Sequence, residues 1–164
     1  MKRQVFFSFE FNKDAWRAAQ VRNMGVVNKD STASDNDWET VKSKSDLVIK
    51  NWIDSQMEMR SCIVVLVGKT TYSRKWVKYE IQKAYELKKG IVGIYIHGLK
   101  DQEGKQTTKG ENPFDYIETS EGEKLSKFVE CYDPPFQSSQ FVYTDICNKM
   151  DALIENAISN KVPK

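Results

Sequence analysis

Histidine is almost missing from this chain: His97 is the one such residue in 164. A metal site built on imidazoles would have no companion for it at usable spacing. Cysteine is scarce as well. Cys62, Cys131 and Cys147 are odd in number and far apart, which yields neither a disulfide framework nor a zinc motif. Cys62 in a strand-like run and Cys147 in a helix-like run read as small buried hydrophobes. With 8 glycines and 4 prolines, no long disordered section is expected. No apolar run approaches the roughly 18 residues of a membrane span. Val5 to Phe9, interrupted by Ser8, is too short for a secretion signal, so the expected compartment is the cytoplasm. Neither sign of charge dominates: 25 basic residues stand against 23 acidic ones, interspersed, and the dense positive field of a duplex-DNA binder is absent.

What remains is a length suited to one domain, 1–164, and enough apolar residues for a core. Gln4 to Phe9 reads as a strand buried on both faces. A helix follows from Asp14, its candidate cap, to about Asn23, with Trp16, Ala19 and Val26 expected inward. The polar stretch Asn28–Asp37 has no periodicity and reads as a surface loop long enough to serve binding or gating. Ser45 to about Arg60 is a helix with Val48, Ile49, Trp52, Ile53 and Met57 on one face. Cys62–Val67 reads as a central strand, Trp76–Lys89 as a helix stopped by Gly90, and Ile91–Ile96 as a third strand. His97–Asp115 is loop-like. Lys127–Tyr132 suits a sheet edge ahead of Pro134-Pro135. A last helix runs from about Thr144 to Asn160, with Ile146, Met150, Leu153, Ile154, Ala157 and Ile158 as its stripe. Strands and helices in alternation, with continuous apolar strands, predict an open parallel α/β sheet flanked by helices.

One residue breaks the pattern. On a helical wheel with Trp76 at zero and about 100° per residue, Leu87, Glu80, Ala84, Val77 and Ile81 fall between about 20° and 140°. Lys78, Lys89, Gln82 and Glu86 take the other side. Glu80 thus points with the apolar face. A carboxylate there needs a partner or shifts its pKa upward. Two readings stand. It is held structurally, by Arg17, Arg22, Arg74 or the Ser8 hydroxyl; or it lines a cavity and stabilises positive charge developing on a ligand.

Ligands of open α/β sheets bind beyond the carboxyl ends of the strands. Those ends present Ser8-Phe-Glu-Phe11, Gly68-Lys-Thr-Thr-Tyr72 and His97-Gly98. A rim of aromatics with a hydroxyl and one carboxylate suits a planar cationic ring, stacked on Phe9 or Trp76 with Glu80 at the charge. For Phe6 and Phe7 plain core is the expectation. Gly68-Lys69-Thr70 is similar to the end of a phosphate-binding loop, yet the preceding glycines are missing, which speaks against triphosphate chemistry. No serine elbow with histidine and acid is present. A phosphoacceptor reading fails as well, since Glu10 alone follows the first strand and Val67-Gly68 ends the second.

Val5-Phe-Phe-Ser-Phe9, Val21-Arg-Asn23, Trp38-Glu39, Trp76-Val-Lys-Tyr-Glu-Ile81, Gly93-Ile94 and Asn112-Pro-Phe-Asp-Tyr116 together resemble the bacterial TIR-like family typified by the sensor subunit of Thoeris antiphage defence. The resemblance runs over nearly the whole chain. It implies a flavodoxin-like fold and an NAD+-consuming enzyme that cleaves the nicotinamide–ribose bond. The product would be a cyclic or related ADP-ribose signal that activates an effector protein. NAD+ enters as substrate, with no separate cofactor, metal, nucleic acid or membrane, and a homo-oligomer is compatible with the family. Glu80, in the Trp-x-x-x-Glu pattern with Trp76, matches the essential glutamate. Ser8 and Phe9 match the serine and aromatic ending strand one, and Asn28–Asp37 matches the loop that closes over substrate. NADase TIR domains outside this family often have basic residues after that serine, where Glu10 and Phe11 stand here, so Arg22 is the candidate for the pyrophosphate. The alternative is a non-enzymatic TIR-like adaptor, in which Glu80 is bridged to an arginine and no cavity lies between Phe9 and Trp76.

Overall fold

The computed structural model of the protein describes residues 3–27, 41–160 and 162. Four strands, β1 (Val5–Ser8), β2 (Cys62–Val67), β3 (Gly90–Tyr95) and β4 (Cys131–Tyr132), form one sheet in the order β1-β2-β3-β4. Every neighbouring pair is parallel: Val5 sits opposite Cys62, Val64 opposite Val92, and Gly93 opposite Cys131. Among the described residues, the helices that cross back between or beyond them are α1 (Phe11–Arg22), α2 (Asp46–Glu58), α3 (Lys75–Glu86) and α4 (Ser139–Ser159). The expected flavodoxin-like α/β architecture is present.

Strand side chains alternate between faces, and both faces are covered. Val5, Phe7, Cys62, Val64, Leu66, Val92 and Ile94 pack with Ala18 and Val21 of α1 and with the Val142, Ile146, Met150, Leu153 and Ile154 stripe of α4. Phe6, Ile63, Val65, Val67, Ile91 and Tyr95 pack on the other side with Met57 of α2 and with Val77, Ile81 and Ala84 of α3. This two-sided burial explains why the strands read as continuous apolar runs rather than alternating ones. Cys62 is fully buried, as expected, whereas Cys147 on α4 is only half-buried.

Several boundaries differ from expectation. Helix α1 starts three residues early, at Phe11, with Glu10 as its cap residue in extended conformation. Asp14 therefore does not cap; it is buried one turn inside, paired with Arg17 at 2.8 Å. Its inward face is Asp14, Arg17, Ala18 and Val21, while Trp16 is 54% exposed. A charged pair took the place of apolar residues there, and periodicity in hydrophobicity cannot register that. Helix α2 is capped by the Ser45 hydroxyl, which accepts from the Val48 amide, but Val48 itself faces solvent. Helix α3 ends at Glu86, so Leu87 falls outside it and is exposed. The left-handed residue after α3 is Lys88, with φ 59°; Gly90 is no stop and instead opens β3. The expected edge strand shrinks to two residues, because Leu125–Lys127 turns as a short 3-10 helix. Helix α4 begins five residues early, at Ser139. The expected loop Asn28–Asp37 lies outside the described residues. Among the described residues, no helix is long and apolar enough to cross a membrane.

Two glycines shape the end of the sheet where a ligand is expected. A Cβ on Gly68, just past β2, would stand 2.1 Å from Asp14 Oδ2. A Cβ on Gly110 would stand 2.2 Å from the Gly68 carbonyl oxygen. The chain after β3 thus crosses directly over the carboxyl end of β2, and the space left for a ligand lies toward β1.

Candidate functional site

A hollow of about 530 Å³ opens at the carboxyl end of β1. Its walls come from the turn between β1 and α1 (Phe9, Glu10, Phe11), from Arg22 at the end of α1, from Lys42, Ser43 and Trp52, and from the first two turns of α3. Period-two alternation places Ser8 on the same side of β1 as Phe6, toward α3. Val77, Glu80, Ile81, Ala84 and Tyr85 form the buried face of α3, a spacing of three and four that points toward the sheet. Glu80 is one member of that stripe and meets Ser8.

The Ser8 hydroxyl donates to Glu80 Oε1 at 2.6 Å. Both residues are buried, Ser8 1% and Glu80 6% exposed, and Glu80 lines the hollow. Burial pushes the Glu80 carboxyl up to about 8, while the Ser8 bond pulls the other way. Among the described residues Glu80 pairs with no cation. Arg17 is committed to Asp14 and to the carbonyl oxygens of Leu99 and Lys105, and Arg74 to Glu10. Of the two readings left open by the sequence, the hydroxyl partner and the cavity are both present, and the arginine bridge is not. The adaptor reading required that bridge and a filled space between Phe9 and Trp76; instead, both aromatics line the hollow.

The structure brings Glu80, Ser8, Phe9, Trp76 and Arg22 together. The Arg22 guanidinium lies 5.7 Å from the centre of the Phe9 ring, and the Phe9 and Phe11 rings stack at 6.4 Å. Trp76 is half-buried, edge-on to Tyr79 at 5.8 Å. His97 is left out: it is half-buried beyond β3, edge-on to Tyr95 at 5.9 Å, with Nδ1 buried without a hydrogen-bond partner. Burial lowers its pKa.

Sequence reasoning offered Arg74 only as a partner for Glu80, which it is not, and did not single out Lys42 or Lys75. Lys42, Arg74 and Lys75 join Arg22 on the wall. Lys42 stands 4.8 Å from the centre of the Phe11 ring, and Lys75 4.7 Å from that of Trp76. Glu10 does not leave the rim acidic. Its Oε1 meets Arg74 Nη2 at 2.6 Å, and its Oε2 accepts from the Thr70 hydroxyl. It thereby fixes an arginine at the rim. Position immediately before the Trp-x-x-x-Glu helix was the available signal for Arg74. Among the described residues no cluster of three or more His, Cys, Asp or Glu side chains could hold a metal ion.

Two comparisons bear on this geometry. A family model described as "Thoeris protein ThsB, TIR-like domain" matches residues 6–101. That span contains all but the first residue of β1, the whole of β2 and β3, Ser8, the Glu10–Arg74 pair and Glu80. A protein of Bacillus cereus (strain MSX-D12), named "Putative cyclic ADP-D-ribose synthase ThsB1", is 37% identical over 133 residues, which cover 76% of this chain and 69% of that protein.

Proposed function

The chain belongs to the TIR-like family of Thoeris ThsB proteins, and we propose that it is an NAD+-consuming enzyme of antiphage defence that breaks the nicotinamide–ribose bond and releases a cyclic ADP-ribose signal. The observation that carries this reading is Glu80: a carboxyl buried at the wall of a hollow of about 530 Å³, held by one hydroxyl and, among the described residues, by no cation.

The chemistry follows from charge. The nicotinamide ring of NAD+ is cationic, so the C1′–N bond breaks with its electron pair moving to the ring nitrogen, and no proton is needed for departure. Positive charge then appears on C1′. A carboxylate fixed beside it in a site of low dielectric stabilises that charge more than it stabilises the bound substrate. Burial favours the neutral acid; the cationic ring favours its ionisation. Substrate thus generates the charged form of the group that assists its cleavage. Phe9 and Trp76 offer faces for the planar ring, Ser8 orients the carboxyl, and Arg22 lies on the wall of the same hollow, where an anionic part of the substrate would meet it.

The fate of the sugar cation depends on the nucleophile. Water gives ADP-ribose; an adenine nitrogen or a ribose hydroxyl of the same molecule gives a cyclised product. Cyclisation is favoured here by the name of the Bacillus cereus relative. The product would act on an effector protein. Incubating the protein with NAD+ and resolving products by chromatography and mass tests the reading. Wild type is expected to release nicotinamide and a cyclic isomer of ADP-ribose, and Glu80→Gln to release almost none. Equal rates from the two proteins would remove the assignment.

A further inference from the structure

The charges of the hollow divide it into two ends. Glu80 and Ser8 mark one. The other carries Arg74 and Lys75 at the start of α3, with Glu10 behind Arg74. Resting on the reading above, we infer that Arg74, set in place by Glu10, is the principal ligand of the substrate diphosphate and selects dinucleotides over simple nucleosides.

Three features of the pair lead there. Glu10 is 5% exposed, so its carboxylate is an immobile anchor, whereas the Arg74 side chain remains 46% exposed. Their closest approach is Nη2 to Oε1 at 2.6 Å, an ion pair without the alignment of a hydrogen bond. A guanidinium has five N–H donors in a rigid fork, and one such contact leaves most of that fork for a bidentate anion such as phosphate. Thr70 fixes the second oxygen of Glu10, which prevents the carboxylate from swinging round to chelate the guanidinium at both nitrogens.

The surroundings agree in sign. Among the described residues, Arg22, Lys42, Arg74 and Lys75 give the walls four cationic side chains against the two carboxyl groups of Glu10 and Glu80. Arg74 supplies no side-chain cap to α3, and the first turn of α3 has no acidic residue. The first intrahelical bond there runs from the Lys78 amide to the Arg74 carbonyl, so the amides of Lys75, Trp76 and Val77 add donors at the same end. Arg74 is the residue that leads into α3 and Glu80 lies in its second turn, six residues and about 9 Å of rise further along. The sugar to be cleaved and the diphosphate therefore bind along a single rigid element.

The test measures binding of ADP-ribose, which carries the diphosphate, and of adenosine, which lacks it, by titration calorimetry without any turnover. Arg74→Gln is expected to weaken ADP-ribose more than tenfold and to leave adenosine unchanged. Because Arg74→Gln leaves a buried Glu10 unpaired, the double variant E10Q/R74Q, which removes both charges, is measured beside it and is expected to show the same loss. Glu10→Gln alone should weaken ADP-ribose, and should add nothing in the Arg74→Gln background. The inference is overturned if the double variant binds ADP-ribose as wild type does, if adenosine binding falls by the same factor, or if wild type binds no ADP-ribose. Nicotinamide release by wild type and Glu80→Gln reads the proposed activity separately. An Arg74-dependent ADP-ribose site in a protein that leaves NAD+ intact would keep this inference and refute the enzymatic one.

Discussion

Ser8 and Glu80, 72 residues apart in sequence, meet in a hydrogen bond of 2.6 Å between the end of β1 and the second turn of α3. The contact joins the two segments that any ligand at this end of the sheet must touch, and it fixes the acidic group from which the functional reading follows.

Replacing Glu80 by glutamine keeps the shape and the Ser8 bond but removes the charge that C1′ would face. Nicotinamide release should fall by about 100-fold to 1,000-fold, the range typical of losing one fixed electrostatic contact. NAD+ binding, followed by calorimetry, should change much less. A fall in binding as large as the fall in rate would mean that Glu80 holds substrate rather than assisting its cleavage.

The carboxyl must be ionised to act, so kcat/KM for NAD+ should rise with pH until about 8, where the free protein titrates. In kcat the same limb should lie at lower pH, because the bound nicotinamide cation favours the carboxylate. Ser8→Ala removes the bond that lowers the Glu80 pKa and should move the kcat/KM limb upward. A pH–rate profile of nicotinamide release checks all three. An unmoved limb in Ser8→Ala would show that Ser8 does not tune the acid.

Stability should respond to the same group with opposite sign. Its pKa is raised from 4.5 in the unfolded chain to about 8 in the fold, so between those values the native state holds a proton that the unfolded chain has lost. The contribution is fully present below about 4.5 and fades as pH rises toward 8, by on the order of a few kcal/mol. Thermal melts should show wild type losing stability between pH 5 and pH 8 more steeply than Glu80→Gln. Parallel curves would place the carboxyl in water.

Arg17→Ala should be the most damaging change away from the hollow. Arg17 is 3% exposed and donates to Asp14, to the Leu99 carbonyl and to the Lys105 carbonyl, each at 2.8 Å. Losing it strands Asp14, whose pKa burial already raises against the pull of Arg17, and frees the chain after β3. A cost of about 3–5 kcal/mol is expected in denaturant titration. Adding Asp14→Asn should restore part of it, and a purely additive double variant would argue that the pair is not coupled.

The sheet was legible because its strands are buried on both faces, so unbroken apolar runs such as Cys62–Val67 mark position as well as type. The placement of Glu80 was legible because α3 keeps regular geometry across Trp76–Ile81. Helix α1 was misjudged for a physical reason: its inward face uses Asp14 and Arg17, which cancel each other's charge inside the fold and look like solvent-facing residues in sequence. The same applies to Glu10 and Arg74. An ion pair between residues 64 positions apart leaves no local pattern, and its role at the rim emerges only when the turn after β1 is laid against the start of α3.

Helix α3 carries Glu80 among the apolar residues that seat it on the sheet, and this constrains how the segment can change. Substitutions at solvent-facing positions such as Lys78 and Gln82 leave the phase of the helix intact. A single inserted or deleted residue between Trp76 and Glu80 would turn the carboxyl by about 100°, off Ser8 and out of register with Ile81 and Ala84. Relatives that retain this chemistry should therefore vary along that stretch at positions off the buried face while keeping its length invariant.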